Sequence, residues 1–399
     1  MSNEINVCLL NDSFPPVIDG VANATWNYAR IIHAKFGSSV VVTPRYPGEK
    51  PDFPFPVIYY PSVQTPVLVD HRMGVPPLSI IQKIKKHPID IVHCHCPFVS
   101  SLIARMLRMY IDAPIIMTYH TKFDIDIAHS LKSELLRTVA KKFVASGSES
   151  FDEVWAVSDG AGENLKSIGY NGEYIIMDNG VDFPKGMVSE DIALAVGAEF
   201  GLPGALPAGG EADSPVFLYV GRMMWYKNIK LILEGLNKAK AAGAVFRMLF
   251  VGGGEELDEI ADFARTIGLN DECIFTGPVR DREKLRALFS RTDMLLFPST
   301  YDTSGLVVRE AAACGLASLL VRGSAAAEPV ADGDNAVLID EDADSLASAV
   351  VSLANNMGKI KTLGQRAMDE LYLSWDTAVA GAVDRYRVII DRHKSASGT

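Results

Sequence analysis

Along the whole chain, short apolar and often β-branched runs alternate with segments whose apolar positions recur at helical spacing. The runs are "INVCLL", "SVVVTP", "IDIVHCH", "PIIMTYH", "EVWAVS" and "YIIMDNG", then "PVFLYVG", "FRMLFVGGG", "CIFTG", "DMLLFPS", "ASLLV" and "AVLID". A strand covered by helices on both faces is apolar on both, so unbroken runs of this kind predict buried parallel strands in βαβ units. The predicted class is α/β. The stretch "VGAEFGLPGALPAGGEADSP", residues 196–215, is rich in Gly, Ala and Pro, has no period, and reads as an exposed loop at the entry to the second series of strands. With the divide placed near Asp182, after the turn "DNGVD", the chain resolves into Rossmann-like halves at 1–182 and 183–375 with a cleft between them. The last segment, 376–399, carries "TAVAGAVDRYRVIIDRH" at helical spacing with no strand after it. Ligands of such sheets sit at the carboxyl ends of the strands, so chemistry is expected in the loops that follow each run.

Length supports two cores, because 399 residues exceed what one ordinarily fills. At 48% hydrophobic and 22% charged residues the composition is that of a soluble globular protein. A formal net charge of -11 argues against nucleic acid as a partner, since holding a phosphate backbone needs a basic footprint. No apolar run approaches the roughly 18 residues of a membrane span, and "MSNEINVCLL" lacks the basic start and long apolar stretch of a signal peptide. A cytoplasmic protein is expected. Five cysteines in this length make no disulfide framework, which fits a reducing compartment.

In the second half, "FLYVG" is followed by "GRMMWYKN". Gly221 permits a tight turn, and Arg222 and Lys227 bring two cations to a strand's carboxyl end, an arrangement suited to a diphosphate. A solvated charged turn would carry the same residues. In "FVGGGEELDEI", Gly252, Gly253 and Gly254 would let a ligand approach the backbone just before an acidic helix. In "FTGPVRDREKL", the backbone of Val279 and Arg280 on an edge strand is placed to read a nucleobase.

The stretch "YDTSGLVVREAAACG", residues 301–315, sets two carboxylates, Asp302 and Glu310, around the start of an apolar helix that ends at Gly315. The amides of Gly305 and Leu306 at that helix N-terminus form a natural phosphate site. At 1.5 Å rise per residue the acids lie roughly 8 Å apart along the helix. Glycosidase carboxylates must flank one bond from two sides, about 5 to 5.5 Å apart in retaining enzymes and roughly 6.5 to 9.5 Å in inverting ones, whereas these two belong to one element. Holding two hydroxyl-bearing groups on either side of a diphosphate suits them better than cutting a bond.

Taken together and in this order, "GRMMWYKN", "VGGGEEL", "FTGPV" and "PSTYDTSGLVVREAAACG" resemble the donor domain of the retaining nucleotide-sugar glycosyltransferases of family 4. The resemblance implies the GT-B fold: two Rossmann-like domains whose parallel sheets face an interdomain cleft. It implies that Arg222 and Lys227 neutralise the donor diphosphate, that Glu310 holds the ribose hydroxyls, and that Asp302 holds the transferred sugar. It places Gly221, Gly253, Val279, Arg280, Thr303, Ser304, Gly305 and Leu306 on the donor, and adds Gly20 and Val21 from the other half. This chain has Asp at 302 where the family usually has Glu, a side chain one methylene shorter.

The first half begins with a strand, a Pro-rich turn, and a helix opened by Gly20. It lacks G-x-G-x-x-G, which leaves a nicotinamide or flavin cofactor without support. The resemblance makes the turn at Asp19, Gly20 and Val21 face donor phosphates and acceptor, and gives His120 of "PIIMTYHTKFD" a contact with the transferred sugar; His95, Lys122 and Asp124 fall on the acceptor side. In "HCHCPF", alternate residues of a strand face opposite ways, so His93 and His95 cannot converge with Cys94 and Cys96 on one metal ion. "SLKSELLRTVAKKFVAS" places Lys132, Arg137, Lys141 and Lys142 among Leu and Val, and "IQKIKKHP" adds Lys83, Lys85 and Lys86. Such a surface suits anionic lipid, and equally an ordinary solvated helix face.

The sequence reading is therefore retaining transfer of a hexose from a nucleotide diphosphate sugar, a UDP-sugar first, to a hydroxyl of a glycan or lipid precursor. It needs no cofactor beyond the donor and no metal, and the protein is cytoplasmic or peripheral at the inner membrane face. A non-catalytic glycosyltransferase-like subunit is the alternative. The crossing of the last helix back to the first domain is likewise implied by the resemblance.

Overall fold

The computed structural model describes residues 4–17, 19–48, 51–65, 68–123, 127, 133–202 and 214–398. The chain forms two compact units, Met1–Gly180 with Trp375–Thr399, and Val181–Ser374.

Unit 1 contains β1 (Ile5–Leu10), β2 (Gly37–Pro44), β3 (Val57–Tyr60), β4 (Ser62–Thr65), β5 (Leu68–Gly74), β6 (Ile91–Cys94), β7 (Ile115–Tyr119), β8 (Glu153–Ala156) and β9 (Ile175–Ile176). Seven of these make a parallel sheet in the order β3-β2-β1-β6-β7-β8-β9. Its central strands are apolar on both faces because helices cover both, and every residue of β7 is buried. The strand order reverses between β1 and β6, so the loops leaving those two strands border a crevice at their carboxyl ends. β3 lies behind the proline-rich "KPDFPFP", where sequence pattern gives no strand signal. β4 and β5 form a separate antiparallel hairpin.

The helix Trp375–Ser397 belongs to this unit. The Tyr386 ring stacks on Trp155 at 5.3 Å between centroids, and Trp375 meets Tyr28 edge-on. Arg385 forms a two-pronged ion pair with Glu153 on β8, at 2.8 and 2.5 Å.

Unit 2 contains β10 (Val216–Val220), β11 (Arg247–Val251), β12 (Cys273–Phe275), β13 (Met294–Leu296), β14 (Ala317–Val321) and β15 (Ala336–Ile339). They form one parallel sheet in the order β12-β11-β10-β13-β14-β15, with β12 at an edge and the reversal between β10 and β13. Each unit thus has the doubly wound order of a Rossmann sheet.

One local expectation fails. The segment read as loop from residue 196 begins inside a helix, Glu190–Glu199. Its Gly197 looked like a chain breaker, but a Cβ there would come within 3.0 Å of the Arg291 side chain, so the glycine serves close packing of this helix on Arg282–Arg291. Residues 203–213 of the same segment lie outside the described residues.

Candidate active site

In unit 2 the switch point is bordered by the loop after β10 and the loop after β13. The first runs through Gly221 and Arg222 into a single 3-10 turn, Trp225–Lys227. Asn228 then takes a left-handed conformation and opens the helix Ile229–Ala241. Its side-chain amide donates to the Pro298 carbonyl, tying the two loops together at 3.0 Å. A second tie is ionic: Lys227 Nζ donates to Asp302 Oδ1 at 2.8 Å. The rings of Tyr226 and Tyr301 lie 4.5 Å apart. Lys227 Nζ is 5.5 Å from each ring centroid, and the Arg222 guanidinium is 5.9 Å from that of Tyr226. Two cations and two aromatic faces are therefore gathered at the strand ends, with Lys227 buried and Arg222 exposed.

Gly305 caps the helix Leu306–Ala313 with a φ of 53°, in the left-handed region. A Cβ at this position would lie 2.9 Å from Ala326 Cβ, so both backbone shape and space call for glycine. The helix ends at Cys314, followed by Gly315 at φ 75°, a left-handed stop. Thr303 and Ser304 lie in the approach to the cap, and Glu310 projects from within the helix. Burial raises the Glu310 carboxyl pKa above its ordinary value, and Arg282 opposes that by an ion pair of 2.6 Å. The Arg282 guanidinium in turn lies 4.3 Å from the Phe183 ring centroid.

A shallow pocket of about 230 Å³ brings together Gly221, Arg222, Gly253 and Val279, all assigned to the donor from sequence. Arg280 is exposed beside it. The glycine run has a different origin from the one expected. A Cβ on Gly252 would fall 1.8 Å from the Gly221 carbonyl oxygen and one on Gly254 2.3 Å from that of Met223, so those two glycines let one loop pack on another. Only at Gly253 does a Cβ meet ordinary contacts, with Pro278.

In unit 1 the loop after β1 leads to Asp19, which caps the helix Gly20–Lys35 by accepting from the Ala22 amide at 2.7 Å. Gly20 is exposed, with open space where a Cβ would go, and Val21 is half-buried. His95 and His120 follow β6 and β7. His95 is 1% exposed and lies under His120, with its Nδ1 2.9 Å from His120 Nε2. That burial places His95 as a support for His120 rather than as an acceptor contact. His93 faces the same side, its ring centroid 4.0 Å from that of His95, and both its nitrogens are engaged, by Tyr386 at 2.5 Å and Thr118 at 2.7 Å. Lys122 is half-buried just beyond His120, and Asp124 and Lys132 lie outside the described residues.

Burial keeps these imidazoles neutral. Desolvation holds His93 and His95 well below the ordinary histidine value, with neighbouring imidazoles adding to it, and pushes His120 down to about 3. An unfolded chain titrates near 6.5, so below that pH it binds protons that the folded chain does not. Their contribution to stability is complete above about 6.5 and is lost as pH falls from there toward about 3. Urea unfolding should therefore show stability declining from pH 6.5 to 4.5 with a shallower slope in a His120→Gln variant; an unchanged slope would contradict this account.

Two family models match, one in each half of the chain. Residues 18–183 match Glycosyltransferase Family 4, and residues 208–369 match Glycosyl transferases group 1. The chain belongs to the family 4-type glycosyltransferases. Similar proteins include the sulfoquinovosyl transferase SQD2 of Arabidopsis thaliana, 24% identical over 319 residues, 76% of this chain and 57% of that one. Another is the alpha-monoglucosyldiacylglycerol synthase of Streptococcus pneumoniae, 21% identical over 78% of this chain and 70% of the other. The glycosyltransferase also has the GT-B fold: it superposes on Anabaena HepE, solved with UDP and glucose, at a TM-score of 0.70 and 15% identity, covering 96% of this chain and 99% of that one.

The sequence pattern singles out the cations and carboxylates of this candidate site but not the groups that face them. Arg282, Tyr226 and Tyr301 went unremarked. The signal for Arg282 was present in "VRDREKL", where it follows Arg280 at the start of the helix Arg282–Arg291.

Proposed function

We propose that the protein transfers a hexosyl group from a nucleoside diphosphate sugar, with UDP-sugars the favoured donors, to a hydroxyl of a lipid or glycolipid at a membrane surface. The configuration at the anomeric carbon is retained, and no metal ion or cofactor is required. The observation that carries the reading is Lys227, a cation whose side chain is only 10% exposed, at the switch point of a Rossmann sheet beside Arg222. Asp302 balances one of these two cations, and the second leaves an excess of positive charge at the strand ends that suits a diphosphate.

In this reading the bond from the anomeric carbon to the phosphate oxygen breaks while the acceptor oxygen bonds the same carbon on the same face, and the acceptor proton passes to the leaving phosphate. Arg222, Lys227 and the amides of Gly305 and Leu306 stabilise the charge growing on that phosphate. In unit 2, Glu310 takes the ribose hydroxyls and Asp302 the sugar; in unit 1, His120 is assigned a sugar contact, and Asp19 and Lys122 stand on the acceptor side. The similarity to an alpha-monoglucosyldiacylglycerol synthase favours a lipid acceptor.

A surface of unit 1 supports membrane contact. The helix Glu134–Ser148 exposes Leu135 and Val139 by 73% and 57%, with Leu136 also exposed and Lys141 and Lys142 on the same helix. Helices Ser79–Ile84 and Val99–Leu107 share its hydrophobic core and present Lys83, Leu102 and, just beyond, Lys85, Lys86 and Met109 to solvent. Apolar side chains interleaved with basic ones suit the surface of an anionic bilayer, a peripheral position on the cytoplasmic face.

The test is a screen of UDP- and GDP-hexoses with vesicles containing diacylglycerol and an anionic lipid, read by mass spectrometry of the lipid products. Absence of both turnover and donor binding with every one of them would overturn the enzyme reading. A Leu135→Ser, Leu136→Ser double variant should partition about tenfold less onto those vesicles. Unchanged co-sedimentation would remove the membrane from the proposal.

A further inference from the structure

The candidate donor site carries an anion of its own. Lys227 and Asp302 come from different loops, yet meet at 2.8 Å, with side chains 10% and 26% exposed and two tyrosine rings beside the lysine. The other carboxylate oxygen, Asp302 Oδ2, is buried and has no hydrogen-bond partner among the described residues. Half of this carboxylate is thus committed to the lysine, and the other half is held dry and unpaired. In a buried setting a cation without a counter-ion is costly, and so is a second anion crowded onto the same cation. A diphosphate arriving at Lys227 would do the latter.

We propose that Asp302 is a latch on the phosphate-binding lysine. It neutralises Lys227, and an incoming diphosphate displaces it, releasing its carboxylate toward the transferred sugar only when the nucleotide is seated. The short aspartate side chain keeps the carboxylate close to its own loop, within reach of the lysine. The free nucleoside diphosphate left after transfer pays for breaking the Lys227–Asp302 pair and receives no sugar contact in return, so the latch weakens product binding relative to donor binding. This inference rests on the donor-site reading of the preceding subsection and adds an order of events to it.

The experiment is titration calorimetry with UDP and with GDP on the full chain, in a double-mutant cycle. Asp302→Asn keeps the shape and removes the charge. Relative to the unaltered protein it should tighten binding of the nucleoside diphosphate about fivefold while lowering turnover, and in a Lys227→Gln background the same change should alter affinity less than about twofold. Unchanged or weaker binding in Asp302→Asn would overturn the latch. An equal gain in both backgrounds would also overturn it, because Asp302 would then repel phosphate directly rather than through the lysine. No binding of either nucleotide by the unaltered protein would refute the donor site itself, and the latch with it. That result is read in the first arm, before any variant.

Discussion

Replacing Arg222 and Lys227 together by alanine is expected to lower kcat/KM for sugar transfer by about 10³- to 10⁴-fold. Loss of one donor aimed at charge developing in a transition state typically costs about 10²- to 10³-fold, and two groups acting on the same charge are not fully additive. The loss should fall mainly on kcat, because the diphosphate carries more charge on its bridging oxygen as the bond to the sugar breaks than it does in the bound donor. The fold should survive. Arg222 is exposed, and among the described residues the ion pair removed is that of Lys227 with Asp302, whose carboxylate is 26% exposed. Steady-state kinetics with a donor identified by the screen, alongside a thermal melt, make the measurement. A fall of less than about tenfold would show that these cations do not carry the leaving-group charge.

The largest structural effect is expected at Gly252→Ala. The added methyl would sit 1.8 Å from the Gly221 carbonyl oxygen, and the residue has a φ of 148°, where side chains are strained. Neither the strand-end backbone nor the carbonyl can give way cheaply, since the Gly221 amide donates to Val251 and the Met223 amide to Gly253. Strain and overpacking together suggest a cost of about 3 kcal/mol, which for a unit of this size lowers Tm by about 10 °C. Gly253→Ala is the control, because its methyl meets Pro278 at 3.5 Å, an ordinary contact. Scanning calorimetry of the two variants should separate them widely, and equal melting would contradict the packing role assigned to Gly252.

The strands that carry the sites were legible because a parallel strand buried on both faces leaves an uninterrupted apolar run. β3 was not, since "KPDFPFP" before it reads as breaker sequence, and the β4–β5 hairpin has mixed polarity with no period to catch. The helix Glu190–Glu199 was obscured by a glycine whose purpose is visible only with Arg291 beside it. In the candidate donor site, Arg222 and Lys227 stand out in sequence by residue type and strand-end position, and Glu310 by its place behind a helix start. What escaped were pairings between distant positions. Lys227 and Asp302 are 75 residues apart, Arg282 and Glu310 are 28 apart, and His93 and Tyr386 are 293 apart. Local pattern has no access to such distances. The shift of His95 from acceptor contact to support under His120 has the same cause: alternation along a strand gives the face, not what lies above it.

Unit 1 is assembled from both ends of the chain, while unit 2 is one uninterrupted segment. Trp375, Val379, Val383 and Tyr386 are buried, and Tyr386 closes on a histidine nearly three hundred residues earlier. On a ribosome that makes the chain in order, unit 2 has all its residues before unit 1 does. Until the last helix emerges, the imidazole ladder beneath His120 lacks its tyrosine partner and the apolar surface around Trp155 stays wet. The histidine cluster of unit 1 is therefore among the last features to be completed during synthesis, and an unfinished chain can hold a formed unit 2 without a finished unit 1.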